Sequence, residues 1–443
     1  MLYIPIDNIL SNQATIIPRP EHNISRASVN ANALKVLYRL HQAGYGSFLV
    51  GGCVRDILLG RYPKDFDVAT EAHPETVKKL FDNCRLIGRR FRLAHVIYGR
   101  DIIEVATFRG YAEAGAAHAD PKNGRILSDN VYGSIEQDVW RRDFTVNALY
   151  YNIADFSLID YTGGLADLRK GVIRLIGEPM QRYREDPVRM LRALRFATKL
   201  GFAIEPGTAE PIYTLGRLLA EVPPARLFDE TLKLFHTGHA VASFRMLQQY
   251  DLLKYLFPAL AQALSAGSYP YALEFVQQAL ASTDLRIQQE KSVTPAFLFA
   301  ALLWPPLLNG VGYHPDNLAG PMEMQKASGL LLARQCRHIT IPRRLSAVMR
   351  EIWLLQPRLQ RNTGKRALAL LSHPRFRAAY DFLCLRAQAG EKVKDSADWW
   401  TAIQQKNPEE RLQMVNAVAS GPRRRRHRPR MRRSGKQHAQ SSG

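Results

Sequence analysis

In SRASVNANALKVLYRLHQAG, residues 25 to 44, the apolar positions Ala33, Val36, Leu37 and Leu40 recur at i, i+3, i+4 and i+7, which predicts an amphipathic helix ended by Gly44 and Gly46. The pattern then shortens. SFLV reads as a brief buried strand, Gly51 and Gly52 as a turn, and CVRDILLG as a helix of about two turns closed by Gly60. The next strand is expected to carry two aspartates, Asp65 and Asp67, with Phe66 between them. Successive strand side chains point to opposite faces, so both carboxylates share one face and the phenyl ring takes the other. FRLAHVIYGRDIIEVATF holds two β-rich runs on either side of Gly99 and Arg100, and glycine at the first central position fits a type II′ hairpin. Residues 110 to 134, rich in Ala, Gly, Asp and Asn, are expected to form a long loop.

From about residue 166 strand signals thin out and helical periodicity takes over, in EDPVRMLRALRFATKLGF, PARLFDETLKLFHTG and FRMLQQYDLLKYLFPAL. The expectation is an α+β front half and an all-helical back half, without internal repeats. Residues 1 to about 30, with Pro5, Pro18 and Pro20, are expected to be a flexible lead-in.

At 443 residues, 46% of them hydrophobic, the chain can bury a sizeable core in two or three domains. It contains no run of eighteen apolar residues, and MLYIPIDNILSNQ lacks the basic and apolar regions of a signal peptide, so a cytoplasmic location without a membrane span is expected. Cys53, Cys84, Cys336 and Cys384 form no C-x-x-C pair, which argues against a zinc site or a disulfide scaffold and leaves reduced, mostly buried thiols.

The net charge of +21 points to a polyanionic partner, nucleic acid before an acidic membrane. Part of it is concentrated at the end of the chain. Residues 421–443 carry Arg423, Arg424, Arg425, Arg426, Arg428, Arg430, Arg432, Arg433 and one lysine with no acid, +9 of the total. Such a segment cannot bury a core and is expected to be disordered alone; it is either a solvated charge run or a non-specific contact to RNA phosphates.

Two carboxylates as close as Asp65 and Asp67 repel unless a cation lies between them, and hard oxygen ligands suit Mg²⁺. Gly51 and Gly52 permit close backbone approach where a strand turns into a helix, and Arg55 on its first turn could reach the same anion. Inside DIIEVATF, past its leading Asp101, Glu104 is the only acid in the apolar strand; a buried acid there is costly if uncompensated, which makes it a candidate third carboxylate. Asp143, in RRDFTVNALYY, is the other; an ion pair or a helix cap would explain it equally well. Asp186 followed by Pro187 makes a good helix N-terminus, while Arg189, Arg192 and Arg195 recur every three residues in a pattern that does not suit a purely solvated face.

LVGGCVRDILLG with DFDVAT, then RRDFTVNALYY, then YREDPVRMLRALRF, in this order over residues 49 to 197, resembles the class II nucleotidyltransferases, which include bacterial poly(A) polymerases and tRNA CCA-adding enzymes. The resemblance implies an α+β, polymerase-β-like nucleotidyltransferase head with a mixed or antiparallel sheet over residues 31–165. A helical neck for base recognition over 166–235, a helical RNA-binding body over 236–420 and the tail at 421–443 would follow. By this resemblance Asp65 and Asp67 would bind two Mg²⁺ ions, with Glu104 or Asp143 beside them in the catalytic group. Gly51, Gly52 and Arg55 would hold the triphosphate of ATP, Arg142 would lie near its sugar and phosphates, and Asp186 and Arg189 would read the base.

IGRRFRLAHV lacks the G-x-x-H-G-T-V-like stretch common in CCA-adding enzymes and is similar to the bacterial poly(A) polymerase I family, as is the arginine-rich tail. The expected activity is template-independent transfer of AMP to RNA 3′ ends in RNA decay or processing. Addition of CCA to tRNA is the alternative, and an RNA-binding protein with an inactive head a second, which the intact aspartate and R-R-D-F elements oppose. The expected partners are the 3′ ends of mRNA and small RNA, with RNA-decay proteins as further candidates.

Overall fold

The computed structural model describes residues 13–88, 92–110, 131–315, 318–360 and 365–419. The chain divides into two compact units, one of Met1–Gln262, Leu280–Val293 and Ala333–Ile341, the other of Ala263–Ala279, Thr294–Leu332 and Pro342–Gly443.

The first unit is built on an eight-stranded mixed sheet ordered β1-β8-β7-β2-β3-β6-β5-β4. Its strands are β1 (Thr15–Ile17), β2 (Ser47–Val50), β3 (Asp67–Thr70), β4 (Cys84–Ile87), β5 (Leu93–Tyr98), β6 (Asp101–Thr107), β7 (Leu149–Asn152) and β8 (Leu158–Asp160). Antiparallel pairing holds throughout except between β3 and β6, which run parallel. That parallel pair places a strand carrying Asp67 beside one carrying Glu104. β5 and β6 join through Gly99 and Arg100, and only Gly99 has positive φ (63°), in keeping with the type II′ expectation.

Helices α1 (Ala31–Gln42), α2 (Gly52–Leu58) and α3 (Pro74–Leu80) pack on the sheet. α1 is the predicted amphipathic helix: Asn30 caps it by accepting from the amides of Asn32 and Ala33, and Ala33, Val36, Leu37 and Leu40 are its buried residues. α4 (Ile135–Arg141) opens with a Ser134–Gln137 capping box and buries Val139 in a cluster with Val50, Ala69, Phe108, Ala148 and Tyr150.

Two expectations need correction. The lead-in is ordered from Thr15: β1 adds an edge strand to β8, and Ile17, Ile24 and Val29 are buried, because prolines at 18 and 20 suit an edge and its turns as well as a loose coil. The aspartate strand also starts later than its alternation suggests. β3 begins at Asp67, so Asp65 precedes the ladder, although the exposed, buried, exposed sequence of Asp65, Phe66 and Asp67 persists.

Past the sheet the chain continues through α5 (Gly164–Lys170), β9 (Val172–Ile173), α6 (Pro179–Glu185), α7 (Val188–Leu200), β10 (Ala203–Ile204), α8 (Pro206–Leu215) and α9 (Pro224–Phe235), with β9 and β10 pairing in parallel. α7 buries Val188, Met190, Leu191, Ala193, Leu194, Phe196, Ala197 and Leu200, and Gly201 in the left-handed region closes it.

The second unit is helical. Trp353 in Arg343–Leu359 donates to the Ala300 carbonyl at 3.1 Å, and Trp400 in Lys394–Gln404 donates to that of Leu359 at 2.7 Å. Arg386, fully buried, donates to Glu391 and to Gln356 and lies over Trp304. Among the described residues no helix is long and apolar enough to cross a membrane.

Candidate active site

The site gathers where β2 ends and β3 begins. Val50 pairs with Asp67, and Asp67 pairs in turn with Glu104, which pairs with His95 on β5. Residues opposite one another in register share a face, so Asp67, Glu104 and His95 form a row across the sheet. His95 Nε2 lies 3.5 Å from Glu104 Oε2. Glu104 is not the buried acid that its apolar strand suggested: its side chain is 44% exposed, on the face opposite Ile103 and Val105.

Asp67 reaches solvent on one side and is crowded by protein on the others. This crowding, then the charge of Glu104, push its carboxyl up to about 6, with Asp65 adding to the effect and Arg142 opposing it. The carboxylates therefore repel one another in the absence of a cation. Asp65 and Asp67 offer the hard oxygen donors that Mg²⁺ takes, and the repulsion is what such an ion would relieve. Among the described residues no three His, Cys, Asp or Glu side chains close into a complete metal cage. A partial protein shell is the usual Mg²⁺ arrangement, with waters and substrate phosphates filling the rest.

Gly51 turns the chain from β2 into α2 at φ 79° and ψ −133°, a conformation open mainly to glycine. A Cβ there would stand 3.8 Å from both Asp67 Oδ2 and Arg142 Nη1, so the missing side chain keeps the backbone against the carboxylate and the guanidinium. At Gly52 the same atom would meet Arg55 Nη2 at 3.6 Å.

Arg142 is held from behind. Its Nε donates to the Tyr150 hydroxyl at 2.6 Å, and its Nη2 to Asp138 Oδ2 at 2.9 Å. The Tyr150 hydroxyl donates to the same Asp138 oxygen at 2.6 Å, and the Arg109 amide donates to Oδ1 at 3.1 Å. Burial works against the Arg142 charge, but Tyr150 and Asp138 outweigh it and raise its pKa. Among the described residues its Nη1 has no hydrogen-bond acceptor and faces Gly51.

Asp143 points elsewhere. Arg192 of α7 donates to its Oδ2 through Nε at 2.7 Å and through Nη2 at 2.5 Å, while Phe144 N and Asn147 Nδ2 donate to Oδ1. Burial alone would raise its pKa, yet Arg192 carries it below the usual range. Arg182 of α6 donates to the carbonyls of Arg141 and Arg142, so one arginine from α6 and one from α7 clasp the R-R-D element.

Arg55 does not present itself to an anion as expected. It is 2% exposed, donating to Asp56 Oδ1 and at 2.6 Å to Asn147 Oδ1, and its guanidinium lies over the Phe196 ring, so it bolts α2 to α7. Asp186 does accept the Val188 amide at 3.3 Å, although α7 begins one residue after Pro187. Its other oxygen takes Arg226 of α9 at 2.7 Å, and Arg189 donates to Glu185 and to the Arg182 carbonyl. The tail arginines, Arg423 to Arg433, and the Arg89–Arg90 pair lie outside the described residues.

Asp138, Tyr150, Arg182, Asn147 and Arg226 were not expected to serve this site, and Arg192 was singled out only as part of the three-residue arginine repeat. The spacing of Asp138 on α4 four residues before Arg142, which caps that helix, was a readable signal; the others join through tertiary contacts across 7 to 92 residues of chain.

Three family models match the chain: "Poly A polymerase head domain" over residues 47–174, "Probable RNA and SrmB- binding site of polymerase A" over 201–264, and "Polymerase A arginine-rich C-terminus" over 318–434. In structure the chain resembles an apo form of a tRNA-processing enzyme, with a TM-score of 0.57 and 22% identity over 86% of this chain and 99% of the other, a likeness of fold. A CCA-adding enzyme of Bacillus velezensis is 31% identical over 71% of this chain and 73% of its own length. Poly(A) polymerase I of Escherichia coli is 50% identical over 95% of this chain and 92% of its own length. An identity of this degree over nearly the whole chain, together with the family models matched at residues 47–174, 201–264 and 318–434, makes this chain a member of the bacterial poly(A) polymerase I family.

Proposed function

We propose that the chain extends RNA 3′ ends with AMP from ATP, without a template, and does so at the carboxylate row that starts at Asp67. Its similarity along nearly its whole length to a poly(A) polymerase I is the observation that carries this reading. The 3′-hydroxyl oxygen forms a bond to the α-phosphorus, the bond from that phosphorus to the bridging oxygen of the β-phosphate breaks, and pyrophosphate leaves while the hydroxyl proton passes to solvent. Asp65 and Asp67 would hold the two Mg²⁺ ions, which when bound lower the pKa of the hydroxyl and neutralise charge on the leaving group.

The protein's own residues orient the reactants. Gly51 and Gly52 leave room for the triphosphate against the backbone, and Arg142 offers its free Nη1 to an oxygen beside Asp67. Glu104, the register partner of Asp67, is a better third carboxylate than Asp143, whose oxygens are taken by Arg192 and neighbouring amide donors. Asp143 acts through position: it fixes the R-R-D element to α7. Asp186 and Arg189 would read the adenine, with Arg226 and Glu185 orienting them.

The test is primer extension with an unstructured RNA and with a tRNA lacking its 3′ end, each given ATP or CTP. Long ladders on the unstructured RNA with ATP alone are expected. Addition that stopped after three nucleotides on the tRNA and required CTP would overturn the reading in favour of CCA addition.

A further inference from the structure

The carboxylate row does not end at Glu104. It continues onto β5 at His95 and then to the exposed Arg85 on the edge strand β4. The neighbouring positions on the same face, Ile87, Leu93, Ile97 and Ile102, are aliphatic, so the histidine is a polar group set into an apolar surface. Its Nε2 is buried and has no hydrogen-bond partner among the described residues, yet it lies 3.5 Å from Glu104 Oε2, a little beyond a good hydrogen bond. Glu104 is equally unprovided for. Among the described residues it has no hydrogen bond and no ion pair with an arginine or lysine, so the imidazole is the polar group placed to restrain its carboxylate.

Such a restraint has a use. After burial, the charge of Glu104 does most to raise the Asp67 carboxyl, so the two repel, and a Glu104 side chain 44% exposed has room to swing away into solvent. His95 stands on the other side of β6 from Asp67. An N–H donated to Oε2 from there keeps the carboxylate in the row and leaves its other oxygen for a cation shared with Asp67. Carboxylates that bind metal ions are commonly held by a second hydrogen bond of this kind, which orients the ligand before the ion arrives. We propose that His95 is a positioning residue: its imidazole, with the proton on Nε2, holds Glu104 in the orientation that serves Mg²⁺ beside Asp67. It acts through that carboxylate and not on the reacting atoms. The proposal rests on the reading of Glu104 as the third carboxylate.

The test measures Mn²⁺ binding to the full chain without substrates, from the electron paramagnetic resonance signal of the free ion. Alongside it run the Mg²⁺ dependence of AMP incorporation, the apparent KM for an unstructured RNA and the Tm of the metal-free chain. The variants are His95→Leu, His95→Gln, Glu104→Gln, and His95→Leu combined with Glu104→Gln. His95→Leu is expected to weaken Mn²⁺ binding and to raise the Mg²⁺ needed for half-maximal activity, each by about tenfold or more, while KM for RNA and Tm hold. His95→Gln, whose amide can still donate to the carboxylate, is expected to recover part of the loss. In the Glu104→Gln background His95→Leu is expected to cost nothing further, because it acts through that carboxylate. Unchanged Mn²⁺ binding and Mg²⁺ dependence in His95→Leu, where Glu104→Gln weakens both, would overturn the proposal alone. So would an equal loss in the Glu104→Gln background, or a loss of Mn²⁺ binding that follows a fall in metal-free Tm. Unchanged Mn²⁺ binding in Glu104→Gln would overturn the third-carboxylate reading and the proposal with it. A wild-type chain that binds Mn²⁺ and RNA but incorporates no AMP would overturn the polyadenylation reading instead, and the Mn²⁺ series would still test His95.

Discussion

Replacing Asp65 or Asp67 by alanine is expected to lower kcat by about a thousandfold, the scale of removing one electrostatic stabiliser from a transfer site, without lowering Tm. Neither carboxylate supports the core, and Asp67 is already repelled by its neighbours, so a loss of folding would contradict the assignment. Gly51→Ala carries a different expectation. It forces a side chain into a left-handed backbone and towards Asp67 and Arg142, costing about 1–2 kcal/mol in denaturant unfolding together with most of the activity. At this scale the sequence was legible where one residue type explains itself, as with the glycine at a sharp turn or the paired aspartates. It misled at Arg55, because a helical position beside a phosphate loop cannot show whether the side chain turns outward or, as here, inward to Asn147 and Phe196.

Between elements, the contact of Asp143 with Arg192 ties the end of α4 to α7, while Arg182 ties it to α6. Arg192→Ala leaves the largely buried Asp143 carboxylate without its ion-pair partner and is expected to cost about 3 kcal/mol, with activity falling further because Arg142 loses its register. The folded pKa of Asp143 lies below its unfolded value, so the stability it adds is present above about pH 4 and is lost as pH falls through the folded value. Urea unfolding of the wild type and Asp143→Asn should therefore converge towards acid pH and diverge towards neutrality. The second unit has a comparable tie. Arg386→Ala strips Glu391 and Gln356 of a fully buried partner and should lower Tm through a loss of about 3–5 kcal/mol. Helices α1 and α7 were readable as periodic apolar faces closed by glycine; β1 was not, since a three-residue edge strand shows no period and depends on β8 for its pairing.

For the whole molecule, deletion of residues 421–443 is expected to weaken RNA binding and to flatten its salt dependence while AMP transfer persists, since +9 of charge leaves with them. An unchanged slope would locate the RNA contacts elsewhere. The order of motifs, the α+β head before a helical remainder, the carboxylate pair and the basic end are local properties, written in residue type, spacing and charge, and the sequence alone determined them. Which acid stands beside Asp67 was decided by the parallel register of β3 on β6, and that register comes from residues 37 apart in the chain. The same holds for the clasp of Arg182 and Arg192 on the R-R-D element. Each depends on where separate elements come to rest against one another, and no window of sequence contains that information because burial and pairing are properties of the packed chain.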